Sequence, residues 1–191
     1  MDVFEAIGSR RSIGRVTGEE VSRENLAVIL NSAVEAPNHR ITEPWRFHVF
    51  TGRGRGELAR VRAEIARSLA EEEGEEPELI RGRISRERKK AFRAPLVVGV
   101  VSKAGRDEVE TAENYAACSA AVQNMQLAAH ALGLGSIWRT GPTAYHELTR
   151  RFLGLENGDA VVAFLYVGRP DMPETRRRRR PVEDFIVRHE G

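Results

Sequence analysis

The longest helical pattern in this chain covers residues 111–132, and it constrains the fold more than any other feature. The segment is dense in alanine, and apolar side chains repeat along one face at helical spacing. That face contains Tyr115, Cys118, Val122, Met125 and Ala129. A helix this apolar belongs in the centre of a molecule or in a subunit interface. Two continuous apolar runs, 96–101 and 160–167, are typical of strands that are buried on both faces.

Shorter patterns around these segments predict the rest of the fold. We expect helices at 2–9, from the Ser22 N-cap to just before Pro37, at 57–72, at 79–92 and at 145–152, and strands at 46–51 and 136–139. The helix at 57–72 is expected to be exposed, and the one at 79–92 carries enough charge for a surface or lid helix. Helices and strands do not alternate as regular βαβ units, so the sequence predicts an α+β fold with a helix-flanked sheet.

The composition is that of an ordinary globular protein, with 41% hydrophobic and 30% charged residues. No run approaches the roughly 18 uninterrupted apolar residues of a transmembrane helix. The N-terminus is acidic, unlike that of a signal peptide, and Cys118 is the only cysteine, which excludes an intrachain disulfide. These features predict a soluble cytoplasmic protein.

The net charge of +2 hides two opposed clusters. Five consecutive arginines occupy residues 176–180, and an acidic patch occupies 71–78. A run of like charge is either a solvated tail segment or a binding site for a polyanion such as nucleic acid. No aromatic platform accompanies the arginines, so nucleic acid is the less favoured partner.

Common cofactor motifs find little support, and the glycine-rich segment at 52–56 is more typical of a flexible surface turn. Glycines at 52, 54 and 56 follow a predicted strand and precede a helix, as in a dinucleotide-binding loop. The third glycine of that fingerprint is replaced by Glu57, whose charge would repel a pyrophosphate. The sequence also lacks a Gly-Lys-Ser/Thr phosphate loop and a His/Cys cluster, so no metal site is predicted.

The segment Arg10-Arg11-Ser12 directly follows the first predicted helix. Guanidinium groups are permanently charged planar forks that fit phosphate oxygens, and a serine hydroxyl adds a third donor. The same residues also suit the end of a helix, where cations interact favourably with the helix dipole. This motif alone leaves both interpretations open.

Two further motifs combine turns, aromatic rings and polar groups. Residues 36–39 (Ala-Pro-Asn-His) end a helix abruptly, and His39 either caps that turn or hydrogen-bonds a flavin. Trp138, Arg139 and Thr140 follow a helix end marked by glycines. Arg139 and the neighbouring backbone amides suit a ring edge or a phosphate. The alternative is a core tryptophan beside a salt-bridged arginine.

In this order and spacing, the three motifs resemble the FMN-dependent nitroreductase family, and in particular the small bacterial proteins often described as minimal nitroreductases. Pro-Trp-Arg-Phe at 44–47, Phe-Arg-Ala-Pro at 92–95 and Phe-Leu-Tyr-Val-Gly at 164–168 extend the similarity. The resemblance covers residues 2–170, which is most of the chain.

The resemblance implies an α+β sandwich around a mixed or antiparallel sheet, and a homodimer with two FMN molecules at its interface. The matching cofactor-binding residues are Arg10, Arg11 and Ser12 at the phosphate, Glu35, Pro37, Asn38 and His39 from the partner subunit, and Trp138, Arg139 and Thr140. Glu35 stands where similar proteins often have arginine. Residues 1–170 would form the FMN-binding domain, and 171–191 a polar extension packed on the partner.

The implied activity is a ping-pong transfer of hydride from NADH or NADPH, through flavin N5, to a small acceptor such as a nitroaromatic or a quinone. The flavin carries this chemistry, so no catalytic side chain is expected. Arg139 and nearby amides are expected to stabilise the reduced, anionic flavin. An alternative is a flavin-binding redox sensor or scaffold that does not turn over.

Overall fold

An antiparallel sheet forms the middle layer of the protein. The computed structural model describes residues 1–173 and 179–189, and within them the strands pair in the order β1-β2-β4-β3. Their bounds are β1 Trp45–Phe50, β2 Leu96–Ser102, β3 Gly135–Arg139 and β4 Ala160–Gly168. Val98 of β2 lies opposite Leu165 of β4, and every residue of β2 is buried. The two predicted buried strands are confirmed, and the sheet is the antiparallel alternative.

Helices cover both faces of this sheet. Their bounds are α1 Val3–Ser9, α2 Arg23–Val34, α3 Gly54–Glu72, α4 Pro77–Lys90, α5 Glu108–Ala131, α6 Pro142–Tyr145 and α7 Glu147–Phe152. Asp2, Ser22 and Asp107 each accept a hydrogen bond from the backbone N–H three residues later, which fixes the starts of α1, α2 and α5. The long helix α5 buries Val122 and Met125 completely, as its apolar face predicts.

The two faces of the sheet carry different cores. Alternate side chains of a strand point to opposite faces. On one face, Val98 and Leu165 pack with α2 and α5. On the other, Val97, Phe164 and Tyr166 pack with α3, the end of α4 and α7. The first face is therefore covered by apolar helices, and the second by helices that bring many of the charged residues.

Helix α3 differs from its prediction. It begins at Gly54 rather than at residue 57, and it is not exposed, because Leu58, Ile65 and Ala66 are buried against the sheet. The apolar residues recur at helical spacing, so the charged residues between them occupy the outer face. Helix α4 has no buried residue and is a surface helix as expected. The single helix predicted at 145–152 is instead two short helices, α6 and α7, which are separated at His146.

Several apolar side chains remain on the surface. On α1, Phe4 is 82% exposed, and Val3 and Ile7 are more than half exposed. Contiguous exposed apolar side chains mark interaction surfaces. In residues 1–173 and 179–189, the helices lack the combination of length and apolar character that is required to cross a bilayer.

Candidate functional site

The segment after α1 docks beside strand β3 and brings two of the three motifs together. Ser12 forms a parallel bridge with Ser136, and the Ile13 amide donates to the Ser136 carbonyl over 2.9 Å. A Cβ at Gly135 would lie 2.7 Å from the Ile13 side chain, so this close approach requires glycine. As a result, the Arg10–Ser12 motif lies alongside the strand that ends at Arg139.

Two guanidinium atoms at this junction are buried without hydrogen-bond partners in the described part of the chain. They are Nη1 of Arg10 and Nε of Arg139. Burying a charged donor without a partner costs about 1–3 kcal/mol or more, so such atoms point to a missing acceptor. The Arg139 Cζ lies 5.9 Å from the centroid of the Tyr166 ring. The Arg139 Nη2 lies beside Gly14, 3.9 Å from the position that a Cβ would occupy on that glycine.

Positive charge accumulates around Arg10. Burial, together with the neighbouring charges of Arg11 and Arg179, lowers the pKa of the Arg10 guanidinium below its ordinary value. Arginine stays protonated even so, which leaves three like charges near one another. An anion bound between them would relieve this repulsion. Of the predicted arginine run, residues 176–178 lie outside the described residues, but Arg179 reaches this site.

Arg11 differs from Arg10 in how its side chain is used. Its Nη1 donates to the carbonyl oxygens of Gly8 and Arg10, both over 2.8 Å, and so completes the C-terminal end of α1. One nitrogen of Arg11 thus has the structural role that was the alternative for this motif. Ser12 is exposed beside it. The assignment of Arg11 and Ser12 to a phosphate stays a prediction.

A cavity of about 380 Å³ opens next to Arg139 and collects four cations, so it is called the cation-lined cavity below. The lining residues are Trp138 and Arg139 at the end of β3, Thr140 and Gly141 directly after it, Arg62 of α3, Lys90 at the end of α4, Arg93 in the turn that follows, and Phe164 and Tyr166 of β4. Burial raises the pKa of the Tyr166 hydroxyl, and the charges of Arg62, Arg139 and Arg93 oppose that rise.

No sequence motif predicted a site role for Arg62, Lys90 and Arg93. They lie in two helices and a turn that are rich in charged residues. In such segments the local sequence does not distinguish a cation that faces a cavity from one that faces solvent. Arg93 did carry a signal, since it belongs to the Phe-Arg-Ala-Pro segment that directly precedes the buried strand β2.

Trp138 serves the core and the cavity together. Its Nε1 donates to the Val162 carbonyl over 3.0 Å, and its ring packs against the core beneath α5. Among the described residues Arg139 forms no ion pair: its Nε lacks a partner and its guanidinium lies beside the Tyr166 ring. Of the structural alternative for this motif, the core tryptophan is therefore present and the salt-bridged arginine is not.

The remaining motif lines a different groove, of about 480 Å³. Pro37, Asn38 and His39 form one wall, and Glu113 with three alanines of α5 forms the other. Glu35 is the exposed residue at the end of α2. The Asn38 Oδ1 accepts from the Glu43 amide over 3.0 Å, which holds the loop that follows.

That loop has an unusual backbone. Arg40, Ile41 and Glu43 have φ values of 53°, 56° and 43°, in the left-handed region that non-glycine residues rarely adopt. The Thr42 hydroxyl donates to Asn114 Oδ1 over 2.9 Å and ties the loop to α5. Strain of this kind costs about 1–3 kcal/mol per residue and persists where the surrounding structure fixes it, often at functional sites.

Within one chain the two groups of motif residues lie far apart. Ala117 borders the Pro37–His39 groove, whereas the His130 Nε2 lies 2.7 Å from the hydroxyl of Ser9, the residue before Arg10. A rise of 1.5 Å per residue puts positions 117 and 130 of α5 about 20 Å apart. The structure therefore joins Arg10–Ser12 with Trp138–Thr140, and separates both from Pro37–His39.

Other candidate groups have structural explanations. Gly54 and Gly56 lie in the first turn of α3. Burial raises the pKa of the Cys118 thiol to about 11, which leaves it unreactive near neutral pH. In the described ranges, no cluster of three or more His, Cys, Asp or Glu side chains is arranged to hold a metal ion.

Comparison with known sequences identifies relatives over almost the whole chain. The model described as "Nitroreductase family" matches residues 7–169. A protein of Escherichia coli (strain K12) named "Putative NAD(P)H nitroreductase YdjA" is 33% identical over 173 residues, which is 90% of either chain. Bacillus subtilis (strain 168) YfhC, named in the same way, is 30% identical over 179 residues, which is 93% of this chain and 89% of its own.

Solved structures agree with these matches. The crystal structure of the nitroreductase-like family protein from Bacillus cereus has a TM-score of 0.85 at 31% identity, over 100% of this chain and 97% of that one. A Desulfovibrio desulfuricans protein crystallised in complex with FMN has a TM-score of 0.72 at 28% identity, over 100% and 98% of the two chains. From the family match, the relatives and the shared fold, it follows that this chain belongs to the nitroreductase family.

Proposed function

We propose that this protein is an FMN-dependent oxidoreductase that uses NADH or NADPH to reduce a small acceptor, such as a nitroaromatic or a quinone, as a homodimer. One observation carries the proposal. The two unpartnered guanidinium atoms, Nη1 of Arg10 and Nε of Arg139, are buried at the junction that the family resemblance assigns to FMN. Membership of an oxidoreductase family and the FMN-bound relative support the same cofactor.

The residues present fit a phosphate monoester beside Arg10. A phosphate group carries close to two negative charges at neutral pH and three acceptor oxygens. Arg10 and Arg179 supply positive charge, and Ser12 supplies an exposed hydroxyl. We assign the FMN phosphate to this segment, with Arg11 completing the adjoining helix end.

The cation-lined cavity fits the polar edge of a flavin ring. Its walls combine the aromatic side chains of Phe164 and Tyr166 with the positive charge of Lys90, Arg93 and Arg139. Reduction of a flavin by hydride adds negative charge to the ring, and fixed cations in a partly buried cavity stabilise that charge without having to reorganise. Thr140 adds a polar side chain at the same edge.

A complete site requires a second subunit. Pro37–His39 lie about 20 Å along α5 from the Arg10–Ser12 segment, and they line a different groove from the cation-lined cavity of the same chain. We infer that the partner subunit contributes Pro37, Asn38 and His39, with Glu35 nearby, to each flavin. The exposed apolar side chains of α1 and Tyr115 of α5, which is 37% exposed, supply surface for this association.

Residues 171–191 are proposed as an extension of the FMN-binding domain, residues 1–170. Val182, Phe185, Ile186 and Val187 are all exposed on it, which suits packing on the partner subunit. Arg179 marks the point where this extension returns to the phosphate site. The presence of a single buried thiol also suits the reducing cytoplasm.

The chain's own residues bind, orient and shield, and the bound FMN supplies the hydride chemistry at N5. Arg10 and Ser12 anchor the phosphate, the cavity cations stabilise negative charge on the ring, and the Pro37–His39 wall limits access to it. No nucleophile or acid–base dyad is required from the protein. Donor and acceptor use one open site in turn, which is a ping-pong sequence.

A visible absorption spectrum of the purified protein tests this function. We expect flavin bands that bleach when NADPH or NADH is added anaerobically and return when a quinone or nitroaromatic is supplied. Flavin that stays oxidised with either donor would favour the redox sensor instead. Colourless protein that fails to bind added FMN would contradict the cofactor assignment.

A further inference from the structure

An ion triad joins α3 to α4 behind the cation-lined cavity. Arg62 is buried, with 7% of its surface exposed, and its Nη2 donates to Glu87 Oε2 over 2.6 Å. The Arg62 Nε also donates to the Glu87 main-chain carbonyl over 3.4 Å. The Lys90 ammonium contacts the other carboxylate oxygen, Oε1. One carboxylate therefore holds two cations, each on its own oxygen.

The three groups are placed in a definite order. Arg62 and Lys90 both line the cation-lined cavity, whereas Glu87 does not line it and faces a neighbouring cavity of about 240 Å³. Among residues 1–173 and 179–189, Glu87 is the one carboxylate within ion-pair distance of any cation of that cavity. The two cations therefore border both cavities, whereas the carboxylate borders only the neighbouring one.

The carboxylate is ionised across the neutral range. Burial alone would raise the pKa of Glu87, but the hydrogen bond from Lys90 and the charge of Arg62 hold it below its ordinary value. Buried ion pairs are sensitive to the loss of one partner, because the remaining charge is left without compensation. Arg62 and Glu87 must therefore be considered together.

We propose that Glu87 is a positioning residue that sets the reduction potential of the bound flavin, by aiming Lys90 at the cavity and cancelling part of the positive charge there. This inference rests on the proposed function. Reduction by hydride adds one negative charge to the ring, so each uncompensated cation nearby favours the reduced form. The triad has a net charge of +1, and removing the charge of Glu87 or of Arg62 moves that value in opposite directions.

Two substitutions give opposite expectations. Glu87→Gln keeps the shape and removes the negative charge, so the affinity for reduced FMN relative to oxidised FMN should rise. Arg62→Met removes a buried positive charge, so that Lys90 is the one cation of the triad that still pairs with Glu87. The affinity for reduced FMN relative to oxidised FMN should then fall. The charge is separated from the ring by several ångströms in an intermediate dielectric, so we expect this relative affinity to change about tenfold. A tenfold change shifts the reduction potential of a two-electron couple by about 30 mV.

The experiment is an anaerobic titration of each FMN-loaded variant against a dye of known potential, with thermal unfolding of the same samples. Glu73→Gln is the matched control, because it removes an exposed carboxylate, directly after α3, that pairs with Arg83 of α4. It should leave the potential unchanged. If Arg62→Met does not fold, Lys90→Gln replaces it, and its potential should also fall.

A rise for Glu87→Gln and a fall for the cation variant would establish the positioning role. Shifts of the same sign, or potentials equal to the control while stability falls, would overturn it and leave the triad a purely structural link. Wild-type protein that does not bind FMN would instead overturn the proposed function, and this inference with it.

Discussion

The two ends of helix α5 border two parts of the candidate site that differ in how they are completed. Near its C-terminal end, Arg10 and Arg139 keep buried donors that no described residue satisfies. Near its N-terminal half, Asn38 and Thr42 have protein partners, and alanines line the groove. The first part leaves donors without an acceptor among the described residues, whereas in the second part the protein supplies the partners and offers a shaped wall.

The largest effect is expected where the anion binds. Arg10→Ala combined with Arg139→Ala removes two charge-assisted donors, each contributing about 1.5–3 kcal/mol. We therefore expect FMN affinity to fall by about 100-fold or more, measured by quenching of flavin fluorescence on titration of apoprotein. Arg60→Ala, an exposed arginine paired with Glu64, is the control. Unchanged affinity in the double variant would contradict the phosphate assignment.

Mixed dimers test whether the two parts come from different chains. One chain would carry Arg10→Ala and Arg139→Ala, and the other Asn38→Ala and His39→Ala. One of the two sites then collects all four changes, and the other is entirely wild type. We expect one FMN per mixed dimer, bound with wild-type affinity. One FMN bound with the weaker affinity of the Asn38→Ala, His39→Ala homodimer would show that each chain builds its own site.

The docking of the Arg10–Ser12 segment can be disturbed without changing any charge. Gly135→Ala puts a Cβ 2.7 Å from Ile13 and forces the segment away from β3. Overpacking of this kind costs about 1–3 kcal/mol, and we expect about a tenfold loss of FMN affinity, which corresponds to 1.4 kcal/mol. Gly14→Ala, where a Cβ would meet only Arg139 at 3.9 Å, should be tolerated. Equal FMN affinities of the two variants would contradict the inference that close docking of the Arg10–Ser12 segment on β3 supports FMN binding.

The smallest effect is expected in the second part. Asn38→Ala removes the acceptor of the Glu43 amide, a hydrogen bond with a net contribution of about 0.5–1.5 kcal/mol. FMN affinity should fall about threefold to tenfold, and hydrogen exchange at residues 40–43 should accelerate. Ser32→Ala on the surface of α2 serves as the comparison. A loss as large as that of the arginine double variant would remove the distinction between the two parts.

Local sequence patterns were sufficient for the elements but not for their pairing. The apolar runs of β2 and β4 and the alanine-rich α5 carry their own signals. The strand order does not, because the pairing of Trp45 with Ser102 joins residues that share no local pattern. The prediction that α3 is exposed was wrong for the same reason. The burial of Arg62 depends on Glu87, which lies 25 residues further along the chain.

The candidate site shows the same limit. The residue types at 10–12 and 138–140 indicated an anion and a ring, but their proximity depends on the bridge between Ser12 and Ser136. Lys90 and Arg62 gave no local signal, because a cation on a charged helix looks the same whether it faces solvent or a cavity. The sequence offered a helix-end role for Arg11 as an alternative, and the structure supports that role through the bonds from its Nη1 to the carbonyls at the end of α1.

The length of α5 has a consequence for the behaviour of the protein in solution. If no single chain can surround the cofactor, only the associated form retains it, and mass action then links the two equilibria. Dilution would release FMN together with the partner subunit, and added FMN would draw subunits together by the same free energy. The colour of a solution would therefore depend on how much protein it contains as well as on how much flavin.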